Sequence, residues 1–245
     1  MVRLIAAAPA NEGGMQALRA GIEMKLQPGW KTYWRYPGDS GVPPRFDFSG
    51  SRNVKDVQVL WPAPARFPDG AGYSIGYPIG VVFPLRILPT QAAEPVNLRL
   101  KLDYAVCEKL CVPVDAELEL ILTPAATSPH EVLLRASEAR VPKRASIGAD
   151  GSLAILAVRQ EPGPRPRVVV DVKVPPDTAV DLFAEGPTAD WSLPLPEPLA
   201  GAPPGMRRFA FELDGLPPAV DAKGARLTFT AVSAAHAIEV AAHLD

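Results

Sequence analysis

The sequence predicts an all-β protein: two β-sandwich domains joined by a short helix-containing linker. Three observations lead there. Short apolar stretches alternating with polar residues at a period of two recur along most of the 245 residues. The 29 prolines and 19 glycines are scattered between those stretches as turn formers, not massed in one tract. Only after residue 126 does the spacing switch from a period of two to that of a helix. The length suits two domains of roughly 100–150 residues each, and a 47% hydrophobic content supplies a core for both.

The first domain is expected over residues 1–126. Val2 to Ala7 reads as its first strand. In "AGIEMKLQPGW", Ile22, Met24 and Leu26 alternate with Glu23 and Lys25 before a turn at Pro28-Gly29. "KTYWRYPGDSGVPPRFDFSG" is aromatic-rich and broken by Pro37-Gly38 and Pro43-Pro44. "VKDVQVLWPAP" and "GVVFPLRILP" are further strands. "NLRLKLDYAV" places Leu98, Leu100, Leu102, Tyr104 and Val106 on one face, with Arg99, Lys101 and Asp103 on the other. "VPVDAELELIL" repeats the pattern, with Val114, Ala116, Leu118, Leu120 and Leu122 opposed by Asp115, Glu117 and Glu119.

The linker is expected over residues 127–145. In "SPHEVLLRASEARVPK", Ser128 is the expected N-cap, Pro129 the first helical position and Glu131 the partner that completes a capping box. Pro142 ends the helix. The second domain follows over 146–245. Its strands are "GSLAILAVRQ", "RVVVDVKVP", "AVDLFAEGP", "RRFAFELDG", "ARLTFTAVSA" and "HAIEVAAHL", and Pro-rich loops such as "LPLPEPLAGAPPG" separate several of them.

Charge and composition exclude several classes. The formal net charge is −2, and no Lys/Arg cluster interleaves with aromatics, so no nucleic-acid footprint is present. No apolar run reaches the roughly 18 residues of a membrane span, and the N-terminal run is too short for a signal peptide.

The chemistry concentrates in "YAVCEKLCVP", which holds the only two cysteines, Cys107 and Cys111. Residues four apart on one straight strand lie about 13 Å from each other, too far for a disulfide, which needs about 4.4–6.8 Å between Cα atoms. A tight hairpin through Glu108, Lys109 and Leu110 satisfies the distance. Both cysteines share odd parity with Asp103, Asp115 and Glu117, so a simple hairpin puts both sulfurs on the polar, accessible face. As a staple the bridge would close a small loop and contribute only about 2 kcal/mol. A structural zinc site wants four ligands, whereas His130, His236 and His243 form no spaced motif with the pair. Lys109 would favour a thiolate, and Glu108, Asp103 and Asp115 would oppose one. A structural bridge, a soft-metal clip and a redox pair all remain open on these grounds.

Three blocks in order carry a resemblance: "GWKTYWRYPGDSGVPPRFDFSGSRNV", "WPAPARFPDGAGYSIGYPIGVVFPL" and "LKLDYAVCEKLCVP". Together, over roughly residues 20–124, they resemble the N-terminal periplasmic region of the DsbD/ScsB protein-disulfide reductases. The resemblance implies an immunoglobulin-like sandwich with Cys107 and Cys111 as a redox-active disulfide and no other cofactor or metal. Cys111 would form the mixed disulfide with partners and Cys107 would resolve it. Electrons would come from the thioredoxin-like and membrane domains of the same reductase and pass to oxidised thioredoxin-like periplasmic proteins. That makes the chain a periplasmic ectodomain of an inner-membrane protein, its signal and membrane segments lying outside the sequence given.

A cap over the disulfide is implied at "FPDGAGYSIGY", with Gly70, Gly72 and Gly76 allowing movement and Tyr73 and Tyr77 covering the sulfurs. Tyr33 and Trp34 would line the same site, with Asp39 and Asp69 as polar neighbours. The best-known members space their cysteines more widely, so the three-residue gap and the second β-domain point to the ScsB-like branch. Two other readings stay on the table: a non-catalytic binding or chaperone-like module with a structural disulfide, and a copper-binding thiol pair.

Overall fold

The computed structural model describes residues 1–245 except 13–14, 39–40, 70–71 and 124–127. The chain divides into two compact units, with the body of the first ending at Val141 and that of the second running from Pro142 to Asp245. Both are immunoglobulin-like β-sandwiches built from two sheets.

Among the described residues, ten strands build the two N-terminal sheets: β1 (Val2–Glu12), β2 (Met15–Met24), β3 (Lys31–Gly38), β4 (Arg45–Asp47), β5 (Val54–Val59), β6 (Ala65–Asp69), β7 (Gly72–Tyr77), β8 (Val81–Pro89), β9 (Val96–Cys107) and β10 (Cys111–Leu122). One sheet has the order β1-β2-β8-β5; the other runs β10-β9-β3-β7-β6, with β4 also pairing to β9. The two-residue alternation decides what meets between them. Ile22, Phe83, Leu85 and Ile87 come from the first sheet, and Leu98, Leu100 and Leu102 from the second, all at most 1% exposed. Edge-to-face rings bind the layers: Phe83 sits 5.5 Å from Phe46, 5.0 Å from Trp61 and 5.4 Å from Tyr77. Strand β10 is the edge of its sheet, and Pro113 stands there opposite Ala105.

The expected helix is present as α1 (Glu131–Glu138), and it packs on the first unit. Leu134 is fully buried with Ile5, Ala7 and Val82. The capping box does not form. His130 is the N-cap residue, without a side-chain cap bond, while the Ser128 hydroxyl donates to the Ala6 carbonyl and accepts from the His130 N–H. The Glu131 carboxylate is diverted to Arg19, at 2.8 Å, and to the Ala8 N–H, at 3.0 Å. A charged donor outcompetes a neutral backbone amide for the same oxygens. Arg19 also reaches Glu138 at 2.6 Å, and Glu138 takes a second bond from Arg86 at 2.5 Å. The Arg19 side chain is only 6% exposed, so this ion cluster ties helix to sheet in a largely dry setting.

The second unit contains β11 (Lys143–Ala145), β12 (Ala154–Glu161), β13 (Arg167–Lys173), β14 (Val180–Glu185), β15 (Glu197–Leu199), β16 (Met206–Glu212), β17 (Arg226–Ser233) and β18 (Ala237–His243). Its sheets are ordered β11-β18-β17-β14 and β12-β13-β16-β15. The six expected strands are all present; β11 and β15 are additional. Proline-rich "LPLPEPL" hides β15, a three-residue edge strand where prolines are tolerated. Val168, Val170 and Val172 are fully buried on β13, and Phe211 meets Phe229 across the layers at 6.4 Å. On the opposite face of β13, Asp171 is held by Arg208 at 2.6 Å and Arg159 at 2.8 Å. Among the described residues, no helix is long and apolar enough to cross a membrane.

The ion cluster under α1 makes stability depend on pH. The Arg19 hydrogen bond is the main force holding the Glu131 carboxyl down to about 2 from its ordinary 4.5, against the upward push of burial. Burial also pushes Glu138 upward, but its bonds to Arg19 and Arg86 outweigh that and keep it below the ordinary range. A depressed carboxyl contributes fully above its unfolded value and loses the contribution as pH falls through the folded one. Stability of the first unit should therefore drop as pH falls from about 4.5 towards 2. Arg19→Met should cost about 2 kcal/mol by removing charge-assisted bonds from both partly buried carboxylates, while Glu138 keeps Arg86 and Glu131 keeps Arg135, and should flatten that acid limb. Urea unfolding of both proteins across this range checks it.

Candidate functional site

Strand β9 ends on Cys107 and β10 begins on Cys111, and the two residues stand directly opposite each other. The pairing runs unbroken from there to Val96 opposite Leu122. Such a directly opposed pair brings the Cα atoms to 4.2 Å, and the sulfurs are bonded at 2.09 Å. Glu108, Lys109 and Leu110 form the exposed turn between them, as the hairpin reading requires.

The two sulfurs are not equivalent. The odd face is exposed at Asp103, Asp115 and Glu117, in line with the parity argument, and Cys111 is exposed with them. Cys107 is not: it is 2% exposed, and Ala105 beside it is 3% exposed. The expectation that both sulfurs are accessible is corrected here, and the cause is a third strand. Strand β3 pairs with the end of β9, Lys31 opposite Cys107 and Thr32 opposite Val106. That register puts Tyr33 on the sulfur face, where it forms a buried cluster with Ala105 and Cys107. Strand alternation sets which side of the sheet a residue occupies; it does not reveal what later covers that side.

Tyr33 is fully buried and its hydroxyl touches both sulfurs, 2.9 Å from Cys107 Sγ, to which it donates, and 3.2 Å from Cys111 Sγ. Several features fix it there. The Thr32 hydroxyl donates to the Ala105 carbonyl at 2.9 Å inside the protein, locking β3 onto β9. Gly41 lies against the ring: a Cβ there would come within 2.6 Å of Tyr33 Cδ1 and 2.3 Å of Pro37 Cβ. On the other flank, a Cβ on Gly76 would meet the Thr32 carbonyl oxygen at 2.1 Å. Both glycines are therefore needed for close approach to the strand that carries Tyr33.

The remaining expected site residues separate. Trp34, next to Tyr33 on β3, is fully buried and stacks under the Arg35 guanidinium at 4.4 Å. Tyr77, expected over the sulfurs, is instead 2% exposed, donates to the Pro62 carbonyl at 2.9 Å and packs on Phe83. The segment expected as a loose cap forms β6 and β7, and β7 lies within the sheet beside β3. Gly76 accordingly serves strand packing and not cap movement. Tyr73 is 44% exposed on β7. Asp69 accepts from the Ser74 hydroxyl at 2.7 Å. Gly70 and Asp39 lie outside the described residues.

Lys31, not singled out from the sequence, shares the sulfur face and holds its ammonium 5.1 Å above the Phe67 ring. Gly41 was also missed, and only its place in a turn-rich aromatic block marked it. Leu110, in the turn before Cys111, is 80% exposed, and Val112, 43% exposed, falls on the opposite face of β10. His130 caps α1, the His236 N–H donates to Ser233 Oγ, and His243 Nδ1 sits 3.2 Å from the Gly224 carbonyl. Among the described residues, no group of three or more His, Cys, Asp or Glu could hold a metal ion.

Residues 3–123 match the family described as thiol:disulfide interchange protein DsbD, N-terminal. The whole chain is similar in fold to the crystal structure of the N-terminal periplasmic domain of ScsB from Proteus mirabilis. The TM-score is 0.73 at 22% identity, over 99% of this chain and 92% of that one. No curated protein sequence matches significantly.

The asymmetry of the pair predicts an order of reaction. After reduction, iodoacetamide should modify Cys111 first and reach Cys107 only slowly, because access gates thiol chemistry. Peptide mapping of a short alkylation time course reads the order, and equal rates would contradict the burial of Cys107. Gly76→Ala should cost about 1–3 kcal/mol by overpacking against a backbone oxygen, read by urea unfolding.

Proposed function

We propose that the chain, whose residues 3–123 match the DsbD N-terminal family, is a periplasmic thiol-disulfide exchange unit of a membrane-bound disulfide reductase. Cys107 and Cys111 are its redox pair. The observation that carries this reading is the split environment of one bridge: an exposed sulfur at the mouth of a hairpin, bonded to a buried sulfur behind it. A bridge that serves only to staple has no need of one accessible and one buried cysteine.

In the reduced state, the Cys111 thiolate attacks the disulfide of an oxidised thioredoxin-like partner. A bond forms from Cys111 to one partner sulfur, and the other partner sulfur leaves as a thiolate. Cys107 then attacks Cys111 Sγ, the partner departs reduced, and the internal bridge is restored. A thioredoxin-like domain of the same reductase returns two electrons by the reverse steps. The exchange needs no metal and no small cofactor. Exposed Leu110, next to Cys111 in the turn, suits a shallow apolar partner surface.

Single replacements separate the roles. Cys107→Ser should trap a mixed disulfide through Cys111 with an oxidised periplasmic thioredoxin-like protein, because the resolving thiol is gone. Cys111→Ser should trap none. Failure of both variants to trap any such partner counts against the relay. A redox titration decides between exchange and stapling, since a bridge with a potential below about −300 mV behaves as a structural one.

A further inference from the structure

We propose that the Tyr33 hydroxyl is a catalytic hydrogen-bond donor that receives the charge released on Cys107 each time the disulfide opens. This inference rests on the exchange reading above and adds a residue to its chemistry. An incoming thiolate reaches only the exposed Cys111 sulfur. Its lone pair forms the new S–S bond, the Cys107–Cys111 bond breaks, and that electron pair remains on Cys107 Sγ. The leaving thiolate is thus generated inside the protein, on a residue only 2% exposed.

A buried thiolate away from donors is a poor leaving group, because apolar surroundings favour the protonated thiol and a leaving thiol departs faster the lower its pKa. Water cannot supply the missing solvation at a buried sulfur. The Tyr33 O–H can: it already points at Cys107 Sγ from 2.9 Å. Donation to an ionised acceptor is stronger than donation to a neutral one, so the bond tightens as charge develops. Nothing must reorganise, since Gly41, the Thr32 bond and the pairing of β3 with β9 hold the ring before the reaction begins.

The same hydroxyl lies 3.2 Å from Cys111 Sγ. In the resolving direction Cys107 attacks Cys111 Sγ, and the donor stays beside both atoms of the bond being formed. One buried phenol therefore serves both halves of the cycle. Lys31, opposite Cys107 on the same face, is the neighbouring cation, its ammonium resting over Phe67. Glu108 and Lys109 follow Cys107 in the exposed turn, and Asp103 and Asp115 lie further along the hairpin.

Tyr33→Phe keeps the ring and removes only the donor, so a purely space-filling role predicts no change. If the inference holds, opening of the Tyr33→Phe disulfide by dithiothreitol slows by about tenfold or more, the effect of one hydrogen bond to a charged group. With Cys111→Ser in the background, the ultraviolet thiolate absorbance of Cys107 then rises at a higher pH in Tyr33→Phe than in the parent. Equal opening rates and superimposable titrations overturn the role of Tyr33 while leaving the exchange reading intact. A wild-type bridge that dithiothreitol does not open overturns both. Should Tyr33→Phe fail to fold, fluorotyrosine at position 33 supplies a stronger donor. It must lower the pH at which Cys107 ionises, and an unchanged titration overturns the inference.

Discussion

Pairing of β3 with the end of β9 is the constraint on which the site depends. The hairpin of β9 and β10 alone yields a bridge with both sulfurs on an open face. Adding β3 in its observed register lays Tyr33 over Cys107 and leaves Cys111 in solvent. The difference between a symmetric surface bridge and a polarised one is thus a single strand pairing. The Thr32 hydroxyl and the missing side chain of Gly76 both protect that pairing, one by bonding across it and the other by letting β7 close against it.

This explains which features were legible in the sequence. Alternation in "NLRLKLDYAV" and "VPVDAELELIL", with two cysteines four apart between them, defined the hairpin, because the information is local. Tyr33 lies 74 residues from Cys107, and no local pattern reports which of several aromatics in "TYWRYPG" will face the sulfurs. Trp34 was an equal candidate and falls on the other side by a one-residue difference in parity. Tyr77 read as a cap residue because it follows a glycine-rich turn. Its burial arises from the aromatic cluster around Phe83, whose members come from three strands and from the segment between β5 and β6.

The helix shows the same limit from the opposite direction. Its existence was legible in the change of spacing after residue 126, but Leu134 takes the buried place while Val132, Leu133, Ala136 and Ala139 stay exposed, and its start differs because Glu131 has a better partner 112 residues away. Arg19 sits in a strand where an isolated cation reads as solvent-facing. Only the folded arrangement shows it gathering two glutamates from one helix. Local capping rules assume that water is the competitor for a side chain; here a buried guanidinium competes instead.

Pro113 on the sheet edge bears on how a visitor can approach Cys111. At a cross-strand pair as close as 4.2 Å, the backbone groups point away from the partner strand, and the residue two further along shares that outward orientation. Pro113 is that residue, and it has no N–H to offer. A foreign strand aligned along β10 would lose a ladder bond two residues from the reactive sulfur. Edge-to-edge sheet extension, including by another copy of this protein, is therefore disfavoured where the chemistry sits. Under the proposed exchange, recognition is left to side-chain surfaces that can bind, exchange and let go.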